Sequence, residues 1–269
     1  MIRNQFIRHN TSNLHYAKTG NGEKHLLVFH GFGQDVSVFE FFARSLAPHY
    51  TFYVFDLYFH GKSTWAHGEK ALSKEEWTQT MTSFLQENNI ARFSLAGFSL
   101  GGKFALATLE GFPERTEQIF LIAPDGIKTS FWYSLATYPG VLRKFFKSMI
   151  LHPRRFHSIA HFLNKSGLVD QGLIRFAEYQ MNTVEKRSRV YYSWVVFRHL
   201  RFDLNHLAYL INSNTIKLTL ITGKYDKVIT PKNMKHLLKK IKEYRFEVLE
   251  SGHTGLINQS LPYFIEPNA

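Results

Sequence analysis

A chain of 269 residues with a formal charge of +12 and no cysteine excludes a disulfide scaffold, a thiolate metal site and a cysteine nucleophile. Its content of 44% hydrophobic and 16% aromatic residues is enough for a substantial core, yet no run approaches the roughly 20 apolar residues of a membrane span. The opening residues lack the apolar stretch of a secretory signal, so the expectation is a cytoplasmic protein.

Residues 6–9 and 14–18, joined by polar turn residues, read as an opening hairpin. Residues 24–29 form the next strand and deliver His30-Gly31-Phe32-Gly33. Residues 36–46 read as a helix that Pro48 ends, and 51–55 as a strand delivering Asp56. Ser73, with Glu76 three residues on, opens a helix to about residue 88. A short buried strand over 92–96 is followed by Gly97-Phe98-Ser99-Leu100-Gly101-Gly102 and a helix over 103–109, stopped by Gly111 and Pro113. A strand over 117–123 ends at Pro124-Asp125-Gly126. Beyond it, 127–212 breaks the alternation, with helical stretches at 141–150, 159–163, 169–181 and 190–200. Strand 216–222, helix 231–240, strand 244–249 and a final helix over 254–263 then resume it.

Strands alternating with helices imply an α/β protein, with a mostly parallel central sheet covered by helices on both faces. The expected division is a core from 1–126 and 213–269, with a helical cap at 127–212 inserted after the sixth strand. The cap holds thirteen Lys/Arg against four Asp/Glu, so most of the chain's positive charge belongs to it.

Functional sites in such sheets lie at the carboxyl ends of strands. Ser99 sits on a strand-to-helix turn bracketed by glycines, the setting that pushes a hydroxyl above a sheet. A serine hydroxyl needs a base within hydrogen-bond reach and an acid to orient that base. His253, between glycines in the loop after the last strand, is the candidate base. Asp226, after the penultimate strand, is the candidate acid, with Asp125 as its rival. The backbone N–H groups of Leu100 and Phe32 are the candidate oxyanion donors.

These residues together resemble the α/β-hydrolase superfamily, over nearly the whole chain outside 127–212. His30-Gly31-Phe32-Gly33 looks like its oxyanion loop, Gly97–Gly102 like its nucleophile elbow, and Gly223–Pro231 and Gly252-His253 like its acid and base loops. Asp56-Leu57-Tyr58-Phe59-His60-Gly61-Lys62-Ser63 is similar to its Asp-x-x-Gly-x-Gly-x-Ser loop, with Phe59 where glycine is usual. The resemblance implies a capped serine hydrolase that cleaves an ester, thioester or related acyl bond through Ser99, His253 and Asp226, with no metal or organic cofactor. Carbon–carbon bond hydrolysis or lysis of an acidic dicarbonyl by the same triad is the alternative, and a receptor-like binding protein with little turnover is another. His30, Phe98, Trp132 and Trp194 are candidates for the substrate pocket. The basic cap suits a small acyl substrate, anionic or lipophilic. Its run Leu142-Arg143-Lys144-Phe145-Phe146-Lys147 also invites a membrane-surface reading, while no motif points to nucleic acid.

Overall fold

The computed structural model describes residues 3–128, 131–138, 140–165 and 171–265. The strands are β1 (Arg3–His9), β2 (Ser12–Thr19), β3 (Lys24–Phe29), β4 (Tyr50–Phe55), β5 (Phe93–Phe98), β6 (Thr116–Ile122), β7 (Lys217–Gly223) and β8 (Tyr244–Leu249). They form one sheet in the order β1-β2-β4-β3-β5-β6-β7-β8. β2 is antiparallel to β1 and to β4, and all other neighbours run parallel. The helices are α1 (Glu40–Leu46), α2 (Lys74–Glu87), α3 (Gly101–Gly111), α4 (Phe131–Thr137), α5 (Gly140–Ser148), α6 (Pro153–Lys165), α7 (Gln171–Gln180), α8 (Val184–Val196), α9 (Leu204–Ser213), α10 (Pro231–Leu238) and α11 (Leu256–Gln259).

Every residue of β4 and β5 is buried, as two covered faces require. Alternation sorts their side chains between the two faces. On one face Leu26, Val28, Phe52, Val54, Ala96 and Phe120 build a cluster with Phe42 and Leu46 of α1 and Leu256 of α11. On the other, Phe29 meets Trp77 of α2 and Phe104 of α3, with ring centroids 5.8 and 6.3 Å away. The expected mostly parallel sheet with helices on both faces is the architecture found.

Several helices differ from expectation, α6 and α8 each starting six residues early and α4 and α9 being additional, and two others differ for clear local reasons. Residues 36–39 form a 3-10 turn ahead of α1, because the Val36 N–H is taken by Asp56 Oδ1 at 2.8 Å while Asp35 Oδ1 accepts from Ser37 N. The final helix is broken into α11 and a 3-10 turn over Leu261–Phe264, since Pro262 lacks the N–H that would continue it. Ser73 does cap α2, its Oγ accepting from the Glu76 N–H at 3.1 Å. Ser73→Ala is therefore expected to cost about 1 kcal/mol of unfolding free energy, read from the shift of a urea midpoint at constant slope.

The chain divides into two compact units. The first contains residues 1–66, 73–128 and 200–269, and the second residues 67–72 and 129–199. α9, expected in the cap, thus belongs with the sheet, its Asn212 binding the 240–242 backbone through Lys240 O and Lys242 N. Residues 67–72 join the helical unit, where Leu72 N donates to Val196 O at 2.9 Å and Glu69 pairs with Lys147 at 2.6 Å. Among the described residues no helix is long and apolar enough to cross a membrane.

Candidate active site

β5, β7 and β8 each end in a loop at the carboxyl edge of the sheet, and the three loops come together there. Ser99 follows β5 directly and takes φ +50°, a left-handed backbone that only a packed surrounding sustains in a non-glycine residue. Ser99 N donates to Ile122 O at 3.0 Å, and Ser99 O accepts from Gly102 N and Asp125 N at 2.9 and 2.8 Å. The tight turn needs glycine on both sides. A Cβ on Gly101 would lie 2.0 Å from Phe29 O, and one on Gly97 would lie 2.7 Å from Gly101 O. The turn therefore seats the start of α3 against the end of β3.

Asp226 follows β7, and His253 lies in the loop after β8. Those loops are stitched by Lys224 N donating to Leu249 O and Tyr225 N to Ser251 O, at 2.8 and 3.0 Å. Asp226 Oδ1 accepts from Val228 N and Ile229 N at 2.8 and 2.9 Å, which fixes the carboxylate plane. Its other oxygen accepts from His253 Nδ1 at 2.6 Å, and the carboxylate is buried. With Nδ1 donating, Nε2 presents a lone pair, and it lies 2.9 Å from Ser99 Oγ. The Phe98 ring packs on the His253 imidazole, with ring centroids 5.0 Å apart. Asp125 is engaged elsewhere, its Oδ1 accepting from Gly126 N at 2.7 Å and its Oδ2 3.5 Å from Lys103 Nζ.

The loop after β3 adjoins the serine turn because β3 pairs with β5, Phe29 opposite Gly97. Phe32 lies in this loop and Leu100 directly follows Ser99, so both candidate amide donors sit at the same sheet edge. His30 does not form a pocket wall as expected. It is fully buried, with Nδ1 donating to Gly31 O at 2.8 Å and Nε2 accepting from Leu57 N at 3.1 Å, so it braces the loop from within. Trp194 packs against Tyr133 and Phe146 inside the helical unit, at 5.2 and 5.6 Å between centroids. The Trp132 side chain lies outside the described residues.

Two supporting features escaped the sequence reading. Gln34 Oε1 accepts from Gly31 N at 2.8 Å, and only its spacing three residues beyond Gly31 hinted at such a loop closure. Asp56, expected as the first residue of the 56–63 loop and given no partners, is a buried hub. It binds His15 Nδ1 at 2.7 Å and the Val36 and Lys62 amides at 2.8 Å each. Burial alone would raise its pKa, but the His15 hydrogen bond and the two amides outweigh that and hold it below the usual carboxylate range. Phe59, the departure from the family's glycine, takes φ +69°, the left-handed conformation that a glycine would supply there. Among the described residues no three His, Asp or Glu side chains are grouped to hold a metal ion.

Comparison with known proteins gives three kinds of likeness. A family model described as alpha/beta hydrolase fold matches residues 24–259. The chain is 33% identical over 111 residues to the dihydrolipoyllysine-residue acetyltransferase component of an acetoin cleaving system from Pseudomonas putida, covering 40% of this chain and 29% of that protein. It is 29% identical over 123 residues to a pimeloyl-[acyl-carrier protein] methyl ester esterase from Nitrosomonas europaea, 45% of this chain and 46% of that one. The matches thus span less than half the length of these curated relatives. A solved serine hydrolase from the polyaromatic hydrocarbon-degrading bacterium Cycloclasticus zankles superimposes with a TM-score of 0.68 at 18% identity, covering 98% of each chain.

Proposed function

Because the chain belongs to the α/β-hydrolase family, we propose that it is a serine hydrolase opening an ester, thioester or related acyl bond with Ser99, His253 and Asp226. The observation that carries this reading is the unbroken relay from Asp226 Oδ2 through His253 to Ser99 Oγ, at 2.6 and 2.9 Å. Similarity to a protein named as a methyl ester esterase supports an ester as the bond type.

In this mechanism His253 Nε2 accepts the Ser99 hydroxyl proton as Oγ attacks the substrate carbonyl carbon. Asp226 holds the imidazole in the Nδ1–H tautomer and stabilises the imidazolium that forms. The carbonyl oxygen becomes an oxyanion, which the N–H groups of Leu100 and Phe32 receive, each worth about 100- to 1000-fold in rate. Supporting this role for Leu100, it is the N-cap residue of α3, where the helix dipole favours negative charge. Collapse of the adduct returns the His253 proton to the leaving oxygen or sulfur and leaves an acyl ester on Ser99. Water, deprotonated by His253, attacks that ester, and the proton returns to Ser99 Oγ as the acid departs.

A fluorophosphonate probe tests the reading at the nucleophile itself. Stoichiometric labelling of the wild type and none of Ser99→Ala, by intact mass, is the expected outcome. A folded wild type that resists the probe would instead favour the receptor-like alternative.

A further inference from the structure

The helical unit carries its cations and its bare apolar side chains in the same stretch of chain. Ten of the eighteen exposed large apolar side chains among the described residues lie between Tyr138 and Val184. The same stretch holds seven Lys/Arg against two acids, Asp170 and Glu178, with Arg143 and Lys147 paired to Glu69. On α5, Val141, Leu142 and Phe145 are spaced to share one helix face, and all three are exposed, Val141 at 80%. On and before α6, Leu151, Ile159 and Phe162 repeat the arrangement, Leu151 at 74% and Phe162 at 67%. The inner face of α5 is already committed, with Phe146 packed on Tyr191 and Trp194. Lys144, Arg154, Arg155, Lys165 and Arg175 stand exposed among these apolar groups.

An apolar side chain left in water at this density marks an interaction surface, and the charge identifies the partner's sign. A second copy of the chain would set this basic stretch against itself. The exposed groups are also spread over α5, the turn after it, α6 and α7. A folded partner must match such a spread in shape, whereas a bilayer deforms around it. We propose that the helical unit docks on an anionic lipid bilayer. The apolar side chains of α5 and α6 enter the interface, and the flanking lysines and arginines meet the headgroups. This is an attachment in the plane of the membrane, since no described helix crosses it.

Cosedimentation of the full chain with vesicles of phosphatidylcholine, with or without phosphatidylglycerol, tests the proposal. Binding is expected to the mixed vesicles at low salt, to weaken as salt rises, and to fall about fivefold for each cation lost in Lys144→Gln, Arg155→Gln and Arg175→Gln. Val141→Ser/Leu151→Ser/Phe162→Ser is expected to weaken partitioning at least about tenfold, with the thermal midpoint and the turnover of a soluble short-chain ester unchanged. No binding to mixed vesicles at low salt overturns the proposal. Equal binding to both vesicle types overturns it as well, because the cations would then contribute nothing. Retention on immobilised polyglutamate without vesicle binding would make the occupant an acidic polypeptide. Vesicle binding is read without substrate, so its outcome is independent of whether Ser99 is reactive.

Discussion

His253→Ala is expected to lower kcat on an activated ester by about 10⁶-fold, with KM little changed and the thermal midpoint retained. The reason lies in the geometry. His253 Nε2 lies 2.9 Å from Ser99 Oγ, and without it the hydroxyl must attack with its proton in place. Ser99→Ala should cost as much, and the double variant no more than either alone, because the pair acts as a unit. Asp226→Asn should cost about 10⁴-fold, since an amide facing Nδ1 favours the tautomer with the proton on Nε2, where a lone pair is needed. Asp125→Asn, by contrast, should stay near wild type, as Asp125 faces Gly126 N and Lys103 rather than the imidazole. Wild-type turnover in His253→Ala would move the base elsewhere and end the mechanism proposed above.

Asp56→Ala is expected to destabilise the fold by about 3–5 kcal/mol. The variant leaves His15 Nδ1 and the Val36 and Lys62 amides facing a void where a carboxylate stood. Within the 56–63 turn only the Lys62 N–H loses its acceptor, while Ser63 Oγ keeps its bonds to the Asp56 backbone carbonyl at 2.7 Å and the His15 N–H at 2.8 Å. The effect should depend on pH in a definite direction. The folded-state pKa of Asp56 is held below its ordinary value, so the carboxylate contributes fully above about pH 3.9 and loses that contribution as pH falls through the folded pKa. Urea unfolding of wild type and variant should therefore give a wide gap at neutral pH that narrows in acid. A gap independent of pH would show that packing, rather than the charge, is what Asp56 supplies.

The sheet was legible because most of its parallel strands carry a compact apolar run followed by a turn signal. β3 and β8 fall at the expected bounds, and the others within a few residues. The serine turn was legible for a different reason, since glycines at Gly97 and Gly101 are demanded by approaches too close for any Cβ. What sequence reading missed depends on side-chain partners far apart in the chain. His15 and Asp56 are separated by 41 positions and are joined only because β2 pairs with β4. His30 looked like a pocket residue from its place beside a glycine. Its two ring nitrogens are instead spent on Gly31 O and Leu57 N, which no local pattern announces. The expected boundary at 212 differs from the observed division at 199–200 because α9 has its partners far along the chain. Its bonds to the 240–242 backbone assign it to the sheet unit.

The pairing of β6 with β7 has a consequence for how the molecule is made. Ile122 lies beside Ile221, so the strand carrying the acid loop joins the sheet across nearly a hundred residues of intervening chain. Closing so long a connection is thermodynamically mild, as each doubling of loop length adds only about 0.6 kcal/mol, but pairings so distant form late. During synthesis the serine turn emerges long before Asp226 and His253, and six strands can pair before either is made. Under the proposed mechanism, reactivity is thus the last property the growing polypeptide acquires, after β7 and β8 have been added at the far edge.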